Sequence, residues 1–156
     1  FNLAVLSLNA GQPEVAQAYL SGIRKSDDDV VNAKGVCELQ KGNLDAAAAL
    51  FRQSSSAEAA ANLGTVALLK GNYAEAARIL APTEGKNKAL ALLLDGQLDK
   101  ASAAITCKCP KSNYLRAIIA ARKGDAQTVK TCLEAASAKE SLKERSEKDV
   151  EFADFR

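Results

Sequence analysis

Residues 62–80 read NLGTVALLKGNYAEAARIL, two short apolar segments on either side of a Gly71-Asn72 pair. Glycine after a helical segment takes the left-handed conformation that ends a helix at little steric cost, and asparagine can cap the helix that follows. The small residues Gly64 and Ala76 leave room for two helices to lie close together. This stretch therefore predicts a helical hairpin that turns at Gly71.

The same arrangement recurs five times along the chain, at intervals of 25 to 31 residues. The turn glycine and the polar residue after it are Gly11-Gln12, Gly42-Asn43, Gly71-Asn72, Gly96-Gln97 and Gly124-Asp125. A small residue precedes each glycine by seven positions, at Ala4, Gly35, Gly64, Ala89 and Ala117. A large apolar residue follows each glycine by nine positions, at Leu20, Phe51, Leu80, Ile105 and Leu133. Fixed-period self-similarity of this kind indicates a helical repeat architecture.

The registers predict an all-α chain of five hairpins, with repeats near 1–25, 26–55, 56–84, 85–110 and 111–137. First helices are expected near 2–10, 28–41, 57–70, 86–95 and 112–123. Second helices are expected near 13–24, 44–54, 73–82, 98–107 and 126–137. Asn43, Asn72 and Asp125 are expected to cap second helices, and the acidic run at 27–29 and the serines at 54–56 to cap first helices.

The pattern resembles the tetratricopeptide repeat, with Leu63-Gly64, Gly71, Ala76 and Tyr73 forming the closest copy. The resemblance covers roughly residues 1–137 and implies a right-handed α-α superhelix, a solenoid. Two departures stand out: the intervals fall short of the family's period of about 34 residues, and most copies lack the proline that usually ends the second helix. Shortened second helices would tighten the superhelix.

Residues 138–156 follow the last repeat and are rich in charge. We predict one capping helix over 139–153, because terminal repeats need a polar outer face. Its buried stripe is expected to consist of Leu142, Ser146, Val150 and Ala153.

Composition argues against several functional classes. The 21 Lys and Arg residues are scattered among 19 acidic ones, whereas nucleic-acid binding requires a clustered basic face. No apolar run approaches the 18 or so residues of a membrane span. The chain has no histidine, which removes Ser-His-Asp and Cys-His catalysis and histidine metal sites. We therefore predict a non-enzymatic protein with no cofactor and no metal, and no membrane insertion by this chain.

Four cysteines are the remaining candidates for chemistry. Cys37 occupies a core register of its first helix, and Cys132 beside Leu133 is also expected in the core. Cys107 and Cys109 stand in a short loop, flanked by lysines that favour the thiolate. Their spacing does not match zinc knuckles. A disulfide from Cys107 or Cys109 to Cys132 and free thiols both remain possible.

In the tetratricopeptide family, ligands lie along the inner face that the first helices form, so the resemblance implies a peptide-binding groove here. The groove positions carried over are Asn32, Val36, Thr65, Lys86, Leu90, Tyr114 and Ile118, with Leu8, Leu39, Leu68 and Leu93 beside them. The subclass that grips a terminal carboxylate has asparagine where this chain has Val36, Thr65 or Leu90. An apolar or amphipathic segment is the expected partner.

The predicted function is an interaction scaffold, a fragment of a larger protein, that binds a protein or peptide. One alternative is a structural spacer whose groove is filled by its own side chains. Another is a thiol redox protein, which needs an exposed, low-pKa cysteine with a second thiol in reach. The short Ala-rich repeats and the ending Asp149-Val150-Glu151-Phe152 also resemble repeat regions of Gram-negative cell-envelope proteins, which implies a periplasmic or outer-membrane-associated location.

Overall fold

The computed structural model describes residues 1–155 and contains, over that range, eleven α-helices, a C-terminal 3-10 helix and no strand. The helices are α1 (Asn2–Asn9), α2 (Pro13–Ser21), α3 (Asp28–Gln40), α4 (Leu44–Phe51), α5 (Ala57–Leu69), α6 (Tyr73–Leu80), α7 (Lys86–Leu94), α8 (Leu98–Ala103), α9 (Pro110–Lys123), α10 (Ala126–Ala136), α11 (Glu140–Lys148) and the 3-10 helix Val150–Phe155. All ten predicted hairpin helices are present, and the all-α helical-repeat fold is confirmed. The second helices end up to four residues earlier than predicted.

The helices pack as two compact units. Unit 1, Phe1–Thr83, holds three hairpins: α1 with α2, α3 with α4, and α5 with α6. Unit 2, from Glu84 onward, holds the hairpins α7 with α8 and α9 with α10, followed by α11 and the 3-10 helix.

Each hairpin turns through a glycine with positive φ, as predicted. At Gly71 (φ +77°) the glycine N–H donates to the Leu68 carbonyl at 3.0 Å, and the Asn72 N–H donates to the Ala67 carbonyl at 2.9 Å. This is the Schellman arrangement, in which the turn satisfies the last carbonyls of the first helix. The other four turn glycines make the same pair of bonds, which explains why the motif recurs.

The predicted helix caps are correct in part. Asp27 accepts a hydrogen bond from the Val30 N–H at 3.1 Å, Ser56 from the Ala59 N–H at 3.1 Å, and Asp125 from the Thr128 N–H at 3.0 Å. Asn43 and Asn72 make no side-chain cap, so that expectation was wrong. The Asn43 amide instead donates to Glu38 Oε2 at 2.7 Å, and this bond holds the pKa of the Glu38 carboxyl below its usual value.

The small residue in each first helix is explained by the large residue of its own hairpin. A Cβ placed on Gly35 would lie 2.4 Å from Phe51 Cε1, and one on Gly64 would lie 2.4 Å from Leu80 Cγ. Phe51 and Leu80 thus pack directly against the backbone at Gly35 and Gly64, and the two helices of each of these hairpins approach closely. Phe51 also belongs to a buried cluster that includes Ala59 of the next hairpin.

The C-terminal segment differs from the single capping helix that we predicted. Helix α11 ends at Lys148, Asp149 has extended backbone (φ −74°, ψ 125°), and a 3-10 helix follows. Val150 is consequently 82% exposed and Ala153 exposed, whereas Phe152 is buried. The predicted buried stripe is therefore wrong at Val150 and Ala153. The break at Asp149 rotates the last turn, so that Phe152 packs into the core of unit 2 in their place.

Candidate functional site

The first helices of unit 1 form one face, because α1 contacts α3 and α3 contacts α5. We call this surface the first-helix face. Two side-chain bonds connect its helices: Gln40 Nε2 donates to the Leu8 carbonyl at 2.9 Å, and Asn62 Nδ2 donates to Asn32 Oδ1 at 3.0 Å. The first bond ties α3 to α1, and the second ties α5 to α3.

Three predicted groove residues, Asn32, Val36 and Thr65, lie on the first-helix face and are partly exposed. The Thr65 hydroxyl donates to the Ala61 carbonyl of its own helix at 3.0 Å, so its methyl group is the apolar part left to contact a partner. Leu39 and Leu68 are also partly exposed, whereas Leu8 is buried. The structure thus brings together a mixed surface of apolar groups with amides at its edge.

Leu69 belongs to the same surface, although the sequence patterns did not predict it as a groove residue. It follows Thr65 by four residues and therefore shares its helix face. Leu69 is 61% exposed, comparable with Leu3 and Leu6 of α1 at 56% and 63%. The register signal was present, since Gln40 follows Val36 by the same four residues, but only the structure shows that Leu69 is uncovered.

The other four predicted groove residues belong to unit 2. Lys86 is exposed, and Leu90 and Ile118 are partly exposed. Tyr114 is only 4% exposed, so we withdraw it from the set of ligand-contacting residues. Leu93 is buried as well.

The burial of Tyr114 has a clear physical cause. Its ring meets Phe152 edge-to-face with centroids 5.6 Å apart, and its hydroxyl donates to Asp149 Oδ2 at 2.6 Å. Arg145 lies 5.4 Å from the ring centroid on its face. Burial and the bond to Asp149 raise the pKa of Tyr114. The C-terminal segment therefore occupies the space that a ligand would need around this ring.

The cysteines fall into two classes, and all four are free thiols. Cys37 is buried in unit 1 and Cys132 is partly buried in unit 2, and burial raises the pKa of both thiols. Cys107 is exposed and Cys109 partly exposed, with their Sγ atoms 2.9 Å apart. Hydrogen bonds with Cys107 and Ser112 lower the pKa of Cys109 to about 6, and the charge of Lys86 acts in the same direction.

The loop that carries these two thiols is held by side chains of α9. Arg116 donates to the carbonyls of Ile105 and Cys107, each at 2.9 Å, and Asn113 donates to the Lys108 carbonyl at 3.2 Å. Ser112 Oγ lies 2.9 Å from Cys107 Sγ and 3.4 Å from Cys109 Sγ. Cys109 is the N-cap residue of α9, with Pro110 at the first helical position. We define this group, Cys107, Cys109 and Ser112, as the thiol cluster.

Within the part of the chain that the structure describes, no group of three or more His, Cys, Asp or Glu residues could hold a metal ion. None of the helices between residues 1 and 155 has the length and apolarity needed to cross a bilayer.

Comparison with known proteins supports the repeat assignment. The tetratricopeptide repeat family model matches residues 1–55, which include the first two hairpins. No curated protein and no solved structure is significantly similar to the chain. This match confirms the tetratricopeptide resemblance over residues 1–55, the first two of the five copies. Repeats of this family generally mediate protein–protein interaction.

Proposed function

We propose, from the tetratricopeptide repeats that this chain carries, that it is a non-enzymatic scaffold that binds a protein or peptide on the first-helix face of unit 1. The observation that carries the proposal is the row of exposed and partly exposed side chains on α3 and α5. Val36 and Thr65 occupy the same repeat register, and Leu69 lies one helical turn beyond Thr65 and is the most exposed of the three.

The chemistry of the face favours an apolar or amphipathic segment as the partner. Its exposed centre is aliphatic, and its polar edge consists of the neutral amides of Asn32 and Asn62, which bond to each other. No cation stands among these residues to receive a terminal carboxylate. An amphipathic helix laid in such a groove uses its apolar stripe for affinity and leaves its polar side in water.

The spacer function is a second candidate, favoured by one observation in unit 2. There the register that Asn32 occupies in unit 1 contains Tyr114, which the C-terminal segment covers, and Leu93 is also in the core. A groove filled by its own chain has no ligand. We therefore place the binding function on unit 1 and treat Leu90 of unit 2 as the position that separates the two candidates.

A cell-envelope location stays part of the proposal. It rests on the resemblance of the short Ala-rich repeats and of Asp149-Val150-Glu151-Phe152 to repeat regions of Gram-negative envelope proteins. Subcellular fractionation of the native host with an antibody against this chain tests it, and recovery with cytosolic markers alone would refute it.

Replacing Leu69 with glutamate tests the binding face. A peptide selected from a random display library on the wild-type chain serves as the probe. We expect Leu69→Glu to weaken its binding by at least about tenfold, or 1.4 kcal/mol. The free energy of unfolding should change by less than about 0.5 kcal/mol, because the site is exposed. Fluorescence anisotropy gives the first quantity and urea denaturation the second.

The matched control is Val15→Glu, which introduces the same charge at an apolar residue that is 44% exposed on the second helix α2. It should bind the peptide as the wild type does. Equal binding by Leu69→Glu and the wild type, or failure to select any peptide, would refute the proposed face.

Replacing Leu90 with glutamate separates a binding groove from a spacer in unit 2. Leu90 is partly exposed, so we expect helical content to be retained and the free energy of unfolding to fall by no more than about 1 kcal/mol. A loss of about 3 kcal/mol or more would mean that an unpaired charge has been forced into the core, and it would end the groove interpretation at this position. Circular dichroism during urea titration measures the change.

A further inference from the structure

The thiol cluster is a built arrangement that the scaffold function does not use. Two sulfur atoms 2.9 Å apart share the nearly fully buried hydroxyl of Ser112, and Arg116 fixes the loop through two backbone carbonyls. Cys109 stands at the N-terminus of α9, a helix of 14 residues, where the helix dipole favours a thiolate. The structure therefore provides what a thiol redox protein needs, a low-pKa cysteine with a second thiol in reach.

We propose that Cys107 and Cys109 form a reactive dithiol that is oxidised reversibly to an intramolecular disulfide by exchange with an anionic low-molecular-weight disulfide. Cys109 is the attacking thiolate and Cys107 the resolving thiol. Their roles follow from the hydrogen bond between them, in which the Cys107 S–H donates to Cys109.

The exchange balances in two steps. The Cys109 thiolate attacks one sulfur of the small disulfide RSSR, so that a Cys109–S–S–R bond forms while the original S–S bond breaks and RS⁻ leaves. Cys107 then gives its proton to the departing thiolate and attacks Cys109 Sγ, which expels the second RS⁻. The two protein thiols lose two electrons, and RSSR is reduced to RSH and RS⁻.

The surroundings favour a negatively charged partner. A pocket of about 140 Å³ beside the cluster is lined by Lys86, Ile105, Cys107 and Ser112 among others. Lys86, Lys108 and Lys111 are exposed around it. Positive charge at a site raises the local concentration of an anionic reactant.

Mass spectrometry of the reduced chain treated with oxidised glutathione tests the proposal, with free thiols blocked afterwards by N-ethylmaleimide. At pH 5.5 the mass of the wild type should fall by two hydrogen atoms, and Cys107 and Cys109 should carry no N-ethylmaleimide because they form a disulfide. Cys109 should react with oxidised glutathione about tenfold faster than Cys132 does, because an ordinary thiol is almost wholly protonated at this pH. Cystamine, a cationic disulfide, should react more slowly than oxidised glutathione.

Single replacements distinguish the two roles. Cys107→Ser should stop at a mixed disulfide with glutathione on Cys109, and Cys109→Ser should form no intramolecular disulfide between positions 107 and 109. Cys132→Ser should behave as the wild type. Alkylation of Cys109 by iodoacetamide should rise with pH to a plateau with its midpoint near the pKa of about 6, and Cys107→Ala, which removes the hydrogen-bond donor, should move that midpoint upward.

Three results would overturn the proposal: no internal disulfide in the wild type, glutathione spread equally over Cys109 and Cys132, or an alkylation midpoint that Cys107→Ala leaves unchanged. The wild-type measurements stand alone should a variant fold poorly. None of the outcomes depends on peptide binding at the first-helix face, so the two proposals succeed or fail separately.

Discussion

Phe152→Ala is expected to lower the free energy of unfolding by about 3–5 kcal/mol, the usual cost of truncating a buried aromatic residue to alanine. Phe152 is 1% exposed and meets the Tyr114 ring edge-to-face at 5.6 Å. It lies in one buried cluster with Ala117, Val129 and Ala136. Removing it leaves a cavity under α9 and α10, so the loss should be largest in these two helices. Urea denaturation measures the total, and hydrogen exchange by mass spectrometry locates it.

The control for Phe152→Ala is Val150→Ala in the same 3-10 helix. Val150 is 82% exposed, and its truncation should change the free energy of unfolding by less than about 0.5 kcal/mol. If Phe152→Ala were as mild as Val150→Ala, the C-terminal segment would contribute nothing to the core of unit 2. Faster exchange confined to residues 140–155, with α9 and α10 unchanged, would contradict the packing in the same way.

The repeat fold could be predicted because its determinants are local. The turn glycine, the small residue seven positions before it and the large residue nine positions after it act within one hairpin, and Gly64, Gly71 and Leu80 show this directly. The ends of the first helices and the starts of the second helices followed from the same signals. The asparagine caps did not: the Asn43 amide bonds Glu38 instead, and nothing in the structure explains why Asn72 does not cap its helix.

The C-terminal segment could not be predicted because its geometry depends on residues distant in sequence. A helical period from residue 139 to 153 places Val150 inside, and neither glycine nor proline marks a break. The break at Asp149 coincides with two contacts of its carboxylate, from the Tyr114 hydroxyl at 2.6 Å and from the Glu151 N–H at 3.1 Å. The first of these spans 35 residues. The same contact explains the misplaced groove residue Tyr114.

The candidate sites were predictable in outline only. The family resemblance indicated that Val36 and Thr65 share a face, but the exposure of Leu69 depends on what neighbouring helices leave uncovered. For the cysteines, the sequence showed a lysine-flanked loop at the start of a helix. It could not show that the two sulfur atoms lie 2.9 Å apart. Ser112, three residues after the N-cap Cys109, is the one partner of the thiols that the sequence places beside them.

Gly35→Ala is expected to destabilise the chain by roughly 1–3 kcal/mol, the usual cost of overpacking a core. Helix propensity alone predicts the opposite sign, since alanine favours a helix interior by about 0.8–1.0 kcal/mol over glycine. The contact decides the outcome, because the new Cβ would lie 2.4 Å from Cε1 and 2.7 Å from Cδ1 of the buried Phe51 ring. Gly22→Ala is the control, since its Cβ would meet nothing closer than the Tyr19 carbonyl oxygen at 3.7 Å and its φ is −77°.

The double variant Gly35→Ala/Phe51→Leu tests the contact itself. The first hairpin already has this combination, with Ala4 and Leu20 at the same two registers and both fully buried. Phe51→Leu alone should cost about 1 kcal/mol through lost packing, yet it removes the ring atoms that the new methyl group would strike. The double variant should therefore be more stable than the sum of the single effects predicts, by at least about 1 kcal/mol. Additive effects, or a Gly35→Ala variant more stable than the wild type, would mean that Phe51 moves aside freely and that glycine is not required for this close helix contact.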